Sequence, residues 1–172
     1  MTTNPFKPPD TDPDKPRRPP LTPGSPVKAV LSGLAVDIGG TILCGIVISV
    51  IYAIQLHSQG LGDAEMRDAM ENMPHDSMLY VAGNLLGLLM SLLGGLVCAR
   101  IARRDEYRIG IVMATLSALI GLMMSSHVDA DEMTVLLTVT SVACNLLGVK
   151  FGAEHNRRAE AAAAPAKDAS TP

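Results

Sequence analysis

Four long stretches of the chain hold almost nothing but apolar residues, and the polar residues are gathered between them. The runs are 29–54, 78–99, 107–125 and 133–151. Each is near the ~20 residues that carry a helix across hydrocarbon. In none does a charged face alternate with the apolar one, as a surface-lying amphipathic helix requires. The pattern predicts an all-α integral membrane protein, a bundle of four transmembrane helices. Asp37 is the only charge inside the first run, and the second has none. Arg108 stands near the start of the third, and Lys150 lies at the end of the fourth, where a long side chain can snorkel to the headgroups.

Composition strengthens this reading. Of 172 residues, 48% are hydrophobic, yet there are two Phe, three Tyr and no Trp. Soluble cores use rings to fill space, whereas helices in lipid approach one another through small residues. Cys44, Cys98 and Cys144 all fall in apolar runs without a CxxC pair, so they read as small packing residues and not as a disulfide or zinc framework. The net charge of −3 says little, but its placement says much. Of the 14 Lys and Arg, only Arg67 falls in the first or third loop. The others lie in the N-terminal segment, in the second loop or around the C-terminal end. By the positive-inside rule both termini and the second loop are cytoplasmic.

The segments outside the spans differ in character. The N-terminal tail, 1–28, begins MTTNPFKPPDTDPDKPRRPP and reads as disordered, because proline breaks helices and the tail lacks apolar surface. The C-terminal tail, 152–172, is Ala-rich and is expected to fray after Pro165. The inner loop, 100–106, is basic, and the outer loop, 126–132, is acidic. The first outer loop, 55–77, holds a short acidic helix candidate in which Met66, Met70 and Met73 share one face. That stripe suits a helix lying Met side down on the membrane. Its alternative use is Cu(I) binding, since thioethers are soft ligands and His57 and His75 flank the stripe.

Small residues recur at helical spacing in three spans. Gly83, Gly87, Ser91, Gly95 and Ala99 repeat every four residues along the second. Gly110, Ala114, Ala118, Gly121 and Ser125 give a less regular row on the third. Thr134, Thr138, Ser141, Asn145, Gly148 and Gly152 follow a heptad on the fourth. Such rows mark helix-packing faces, within the chain or toward a second copy or another membrane protein.

The segment AVDIGGTILCGIV, 35–47, contains the one intramembrane carboxylate. Asp37-Ile38-Gly39-Gly40-Thr41 resembles the phosphate loop of sugar kinases, but that loop needs a two-lobed α/β domain that the remaining sequence does not supply. A carboxylate in a membrane helix costs roughly 2.5 to 3.5 kcal/mol at the centre and usually faces other helices. Counting at 1.5 Å per residue places Asp37, Ser91 and Asn145 at one depth, on the cytoplasmic side of centre. They are expected to form a polar cluster. Asp37 then either fixes helix register or serves as a proton or cation site.

Two membrane families resemble the chain. Four short spans with a carboxylate in the first are similar in outline to small multidrug resistance transporters, which differ in using Glu, aromatic residues and balanced loops. Gly94-Gly95-Leu96-Val97-Cys98-Ala99-Arg100-Ile101-Ala102 resembles a Gly-Gly-x-x-Ala-x-Arg-x-Ala motif of small four-span bacterial inner-membrane proteins with no assigned activity. That resemblance implies a plasma-membrane helix bundle and carries no functional residue. No nucleophile with a base appears, and no basic surface for nucleic acid. The expectation is a non-enzymatic structural or accessory membrane component without a cofactor. A proton- or cation-coupled transporter or channel subunit using Asp37 is the alternative, and outer-face Cu(I) binding is the second.

Overall fold

The computed structural model describes residues 24–74, 76–125 and 132–163. The N-terminal tail up to residue 23, His75, most of the third loop and the last nine residues lie outside them; both tails are expected to be disordered, but residues 152–163 of the C-terminal one are described and helical. Among the described residues all regular structure is helical. We name the helices α1, Pro26–Ser58; α2, Asp63–Glu71; α3, Met78–Ala102; α4, Glu106–Ser125; and α5, Glu132–Ala163. All but α2 are long and apolar enough to cross a membrane. Their length and composition are those of a multi-pass membrane protein. Large apolar side chains cover the outward surfaces, among them Leu43, Val47, Ile54, Leu85, Leu119, Met123 and Val139. In water that exposure would be a liability, and in lipid it is the solvent-matched state.

Helix ends follow local chemistry. Ser25 caps α1 by accepting from Lys28 N, with Pro26 at the first helical position, where a missing N–H costs nothing. Ser77 likewise caps α3 through Tyr80 N at 3.2 Å. Between α3 and α4 the chain reverses in three residues, with Arg103 and Asp105 both at positive φ (54° and 50°). Arg103 N–H still reaches Ala99 O, the left-handed cap that stops a helix abruptly. The helices also overrun the apolar runs. α1 starts before residue 29 and ends after 54, and α5 continues past 151 to Ala163. Hydropathy marks only the part that needs lipid, whereas backbone hydrogen bonding continues through HNRRAEAAA. Asn156, in that extension, bonds Ala99 O at 3.0 Å and Glu106 Oε1 at 3.4 Å, tying α5 to both sides of the reversal.

α3 and α5 run in the same direction and form the most extensive helix pair. A Cβ on Gly148 would meet Leu92 O, one on Gly152 would meet Leu96 O at 2.8 Å, and one on Gly95 would meet the carbonyl of Asn145. Backbone therefore rests on backbone, as small-residue rows permit. α1 adds to this pair through a similar approach: Gly33 and Gly94 each face the other's carbonyl at 2.8–3.0 Å from where a Cβ would stand. Ala29, Cys98, Ala102 and Met113 fill the core at this end. The residues expected to mediate packing thus divide. Gly95, Gly148 and, against Val149, Gly110 make close contacts. Gly83 and Gly87 have only ordinary contacts, 3.9 Å to Ile48 and 3.7 Å to Thr41, and Gly121 has no neighbour within 4 Å. Among the described residues Gly121 makes no packing contact within the chain: beyond Ser117 the last turns of α4 stand away from α1, and Gly121 lines a cavity.

Candidate functional site

Asp37 sits inside a π-helical turn, Ala35–Gly39, which interrupts α1. The wider turn inserts a residue into the helical ladder, a distortion frequent at functional positions. Thr41 Oγ1 donates to Asp37 O at 2.6 Å, supporting the backbone where the ladder changes pitch. No proline is involved. The turn instead coincides with Gly39-Gly40 and with a carboxylate 3% exposed.

Hydroxyls and an amide from the other three long helices converge on that carboxylate. Ser91 Oγ, on α3, donates to Oδ1 at 2.7 Å. Ser117 Oγ, on α4, donates to Oδ2 at 2.5 Å. Asn145 Nδ2, on α5, donates to Oδ2 at 3.2 Å. Ser141 Oγ, one turn before Asn145, lies 2.9 Å from Ser91 Oγ and extends the network. The structure thus joins Asp37, Ser91 and Asn145 directly, and it adds Ser117 and Ser141. Ser141 belongs to the heptad row of the fourth span. Ser117 is out of phase with the small-residue row on α4 by one position, so periodicity passes over it. Counting depth does not find it either: Ser117 falls about one residue to the outer side of the centre of its run, whereas Asp37 lies about four residues to the inner side of its own.

One polar atom in this cluster has no partner. Asn145 is 1% exposed, yet its Oδ1 accepts no hydrogen bond. Its amide lies against Gly95 of α3, where a Cβ would come 3.0 Å from Oδ1. A buried acceptor left empty costs on the order of 1–3 kcal/mol.

A cavity of about 390 Å³ opens above the carboxylate, between the middle of α1, the N-terminal half of α3, the C-terminal half of α4 and the N-terminal half of α5. Asp37, Ser91, Ser117 and Ser141 form its floor. Thr41, Asn84, Thr134 and Thr138 add polar groups higher up, and Ile42, Leu88, Ile120, Met124 and Leu137 complete the wall. Gly83, Gly87 and Gly121 give it width, since side chains there would fill it. Among the described residues Asp37 is the only ionisable one that lines it, and no aromatic one does.

The remaining candidates lie elsewhere. Met66 and Met70 are on α2, Met73 is in the short link after it, and His57 is exposed near the end of α1. His75 falls outside the described residues. Among the described residues no three His, Cys, Asp or Glu side chains gather in a way that could hold a metal. Compared with known proteins, the chain matches no family model, no curated protein and no solved structure.

Proposed function

We propose that this chain is a non-enzymatic four-helix bundle of a plasma membrane, with cytoplasmic termini, whose cavity admits a cation from the outer side to the Asp37 carboxylate. It would act as a cation-coupled transporter or as a channel subunit. The observation that carries this reading is the cavity: it leads through hydroxyl-bearing walls to a buried carboxylate held on a π turn. A carboxylate needed only to fix helix register would be better enclosed, because an open approach serves no packing purpose. Loop charge puts the mouth of the cavity on the outer face, since the Arg-rich reversal between α3 and α4 lies at the other end.

The test is carbodiimide modification of Asp37 in intact membranes, read by mass spectrometry. Asp37 is expected to be modified. The change Gly121→Phe, which puts a ring into the cavity at a position with no neighbour within 4 Å, is expected to protect it. Equal modification in both proteins would show that the cavity is not the route.

A second reading has its own support. Three donors from three helices reach both oxygens of Asp37, which is what a purely architectural carboxylate would show. The chain would then be an accessory membrane component. The small-residue rows near the floor are already occupied within the chain, which leaves them less available for a second copy.

A further inference from the structure

We infer that the floor of the cavity is a dehydrated binding site for one small monovalent alkali cation, of which sodium is the type. This rests on the cavity reading above and names the ion it serves.

The donor set comes first. Every polar group around Asp37 carries oxygen, and each of the four long helices supplies at least one of these groups. Oxygen-only sites suit hard cations. The thioether of Met124, which also lines the cavity, stands two helical turns along α4 from Ser117. Charge comes next. With one carboxylate and no other ionisable group lining the cavity among the described residues, a monovalent ion brings the floor to neutrality. A divalent ion would leave a net charge in a low-dielectric setting, at high cost. Large organic cations are disfavoured by the walls, which offer no ring for a cation–π contact.

The unpartnered Asn145 Oδ1 points to the ligand independently. The present hydrogen bonds keep the Asn145 amide with its nitrogen toward Asp37 and its oxygen unused. Turning the amide about Cβ–Cγ would bring Oδ1 beside the carboxylate. Two acceptors can face each other with a cation between them, as they also would with a shared proton. Ser91, Ser117 and Ser141 can adapt in place, because a hydroxyl that donates also holds two lone pairs and needs only to rotate. The site can therefore change from hydrogen-bonded and empty to ion-bound without helix movement.

Size follows from what encloses the floor. The serine oxygens lie 2.5–2.7 Å from the carboxylate oxygens, and Asn145 Nδ2 lies 3.2 Å away. Asp37 is backed by Gly94, whose missing Cβ would stand 2.8 Å from Asp37 Cβ, and Asn145 is backed by Gly95. Backbone this close resists expansion. A small ion fits by rotation of hydroxyls, whereas potassium or ammonium would have to push α3 away.

The test is equilibrium binding of radioactive sodium to the purified full-length protein in lipid nanodiscs. Saturable binding of a single ion per chain is expected, displaced by lithium and not by potassium or tetramethylammonium. Asp37→Asn should abolish it. Ser117→Ala, which leaves the charge in place, should weaken it about tenfold, the scale of one lost ligand. The competition series uses the unaltered protein, so the proposal stands or falls even where a variant fails to fold. Absence of sodium binding alongside tetramethylammonium binding would overturn the choice of ion and leave the cavity reading intact. Absence of binding by either, together with an unprotected Asp37 in the Gly121→Phe experiment, would overturn both.

Discussion

Replacing Asp37 separates two energies that are usually confounded. Removing the carboxylate makes α1 easier to insert, by up to roughly 2.5 to 3.5 kcal/mol if it stands near the membrane centre. The same change should make the inserted helices pack less stably. In Asp37→Leu, Ser117 and Asn145 Nδ2 lose their carboxylate acceptor, while Ser91 keeps Ser141. Interhelical hydrogen bonds in membranes average about 0.6 kcal/mol and reach about 1.7, so three of them contribute roughly 2 to 5 kcal/mol. A branched side chain pressed against Gly94 adds about 1–3 kcal/mol of overpacking. The expected loss is about 3 to 8 kcal/mol. Asp37→Asn has nearly the same shape. Its carbonyl still accepts from a serine, and its new N–H₂ can donate to the otherwise unused Oδ1 of Asn145 once that amide turns. Its loss should be small, about 1 to 2 kcal/mol at the average energy of such bonds. The assay is reversible unfolding in mixed micelles, in sodium-free potassium buffer so that no bound ion contributes. Expression level is the wrong readout, because it follows insertion as well as folding. Equal destabilisation by Leu and Asn, or a Leu variant within about 1 kcal/mol of the unaltered protein, would refute the hydrogen-bond argument.

Three further outcomes follow from the same geometry. Gly95→Ala and Gly148→Ala each place a methyl group on a backbone carbonyl of the facing helix and should each cost about 1–3 kcal/mol in the same unfolding assay, whereas Gly45→Ala, with nothing within 4 Å, should stay within about 1 kcal/mol. In a protein with Cys44, Cys98 and Cys144 replaced by Ala, Thr138→Cys should react with a membrane-impermeant thiol reagent added from the outer side, because Thr138 lines the cavity; Val139→Cys, whose side chain is 62% exposed on the lipid-facing surface, should not. Titration of the full-length protein with Cu(I) under reducing conditions tests the Met66, Met70 and Met73 stripe. Binding lost in the triple Met→Leu variant would establish a second site, and absence of binding removes the stripe from consideration.

Depth along a helix and direction around it are unequally legible in a sequence, and the site illustrates the difference. Depth can be counted because the rise per residue is constant and the ends of an apolar run are fixed by the thickness of hydrocarbon. Counting is how Asp37, Ser91 and Asn145, which the structure joins by hydrogen bonds, can be put on one level from the sequence alone. Direction depends on neighbours. Ser117 lies one position off the small-residue row of α4, and only the placement of α1 and α5 around α4 decides that it faces the carboxylate. The π turn is hidden for a related reason: without proline, a run of Ala, Val, Ile and Gly is compatible with an unbroken helix, and the hydrogen bonds that accompany the extra residue come from Thr41 in the same helix and, to the Asp37 side chain, from three other helices. The cavity is the least legible feature. Gly83, Gly87, Gly95 and Ala99 form one uninterrupted row in the sequence, yet Gly95 closes onto α5 while Gly87 borders open space. A glycine permits close approach and does not enforce it. Whether the permission is used depends on the tilt of the facing helix, and here the helices meet at the Asp37 floor and separate above it. One row of small residues thus does two things, gripping α5 below the carboxylate and leaving the cavity open above it.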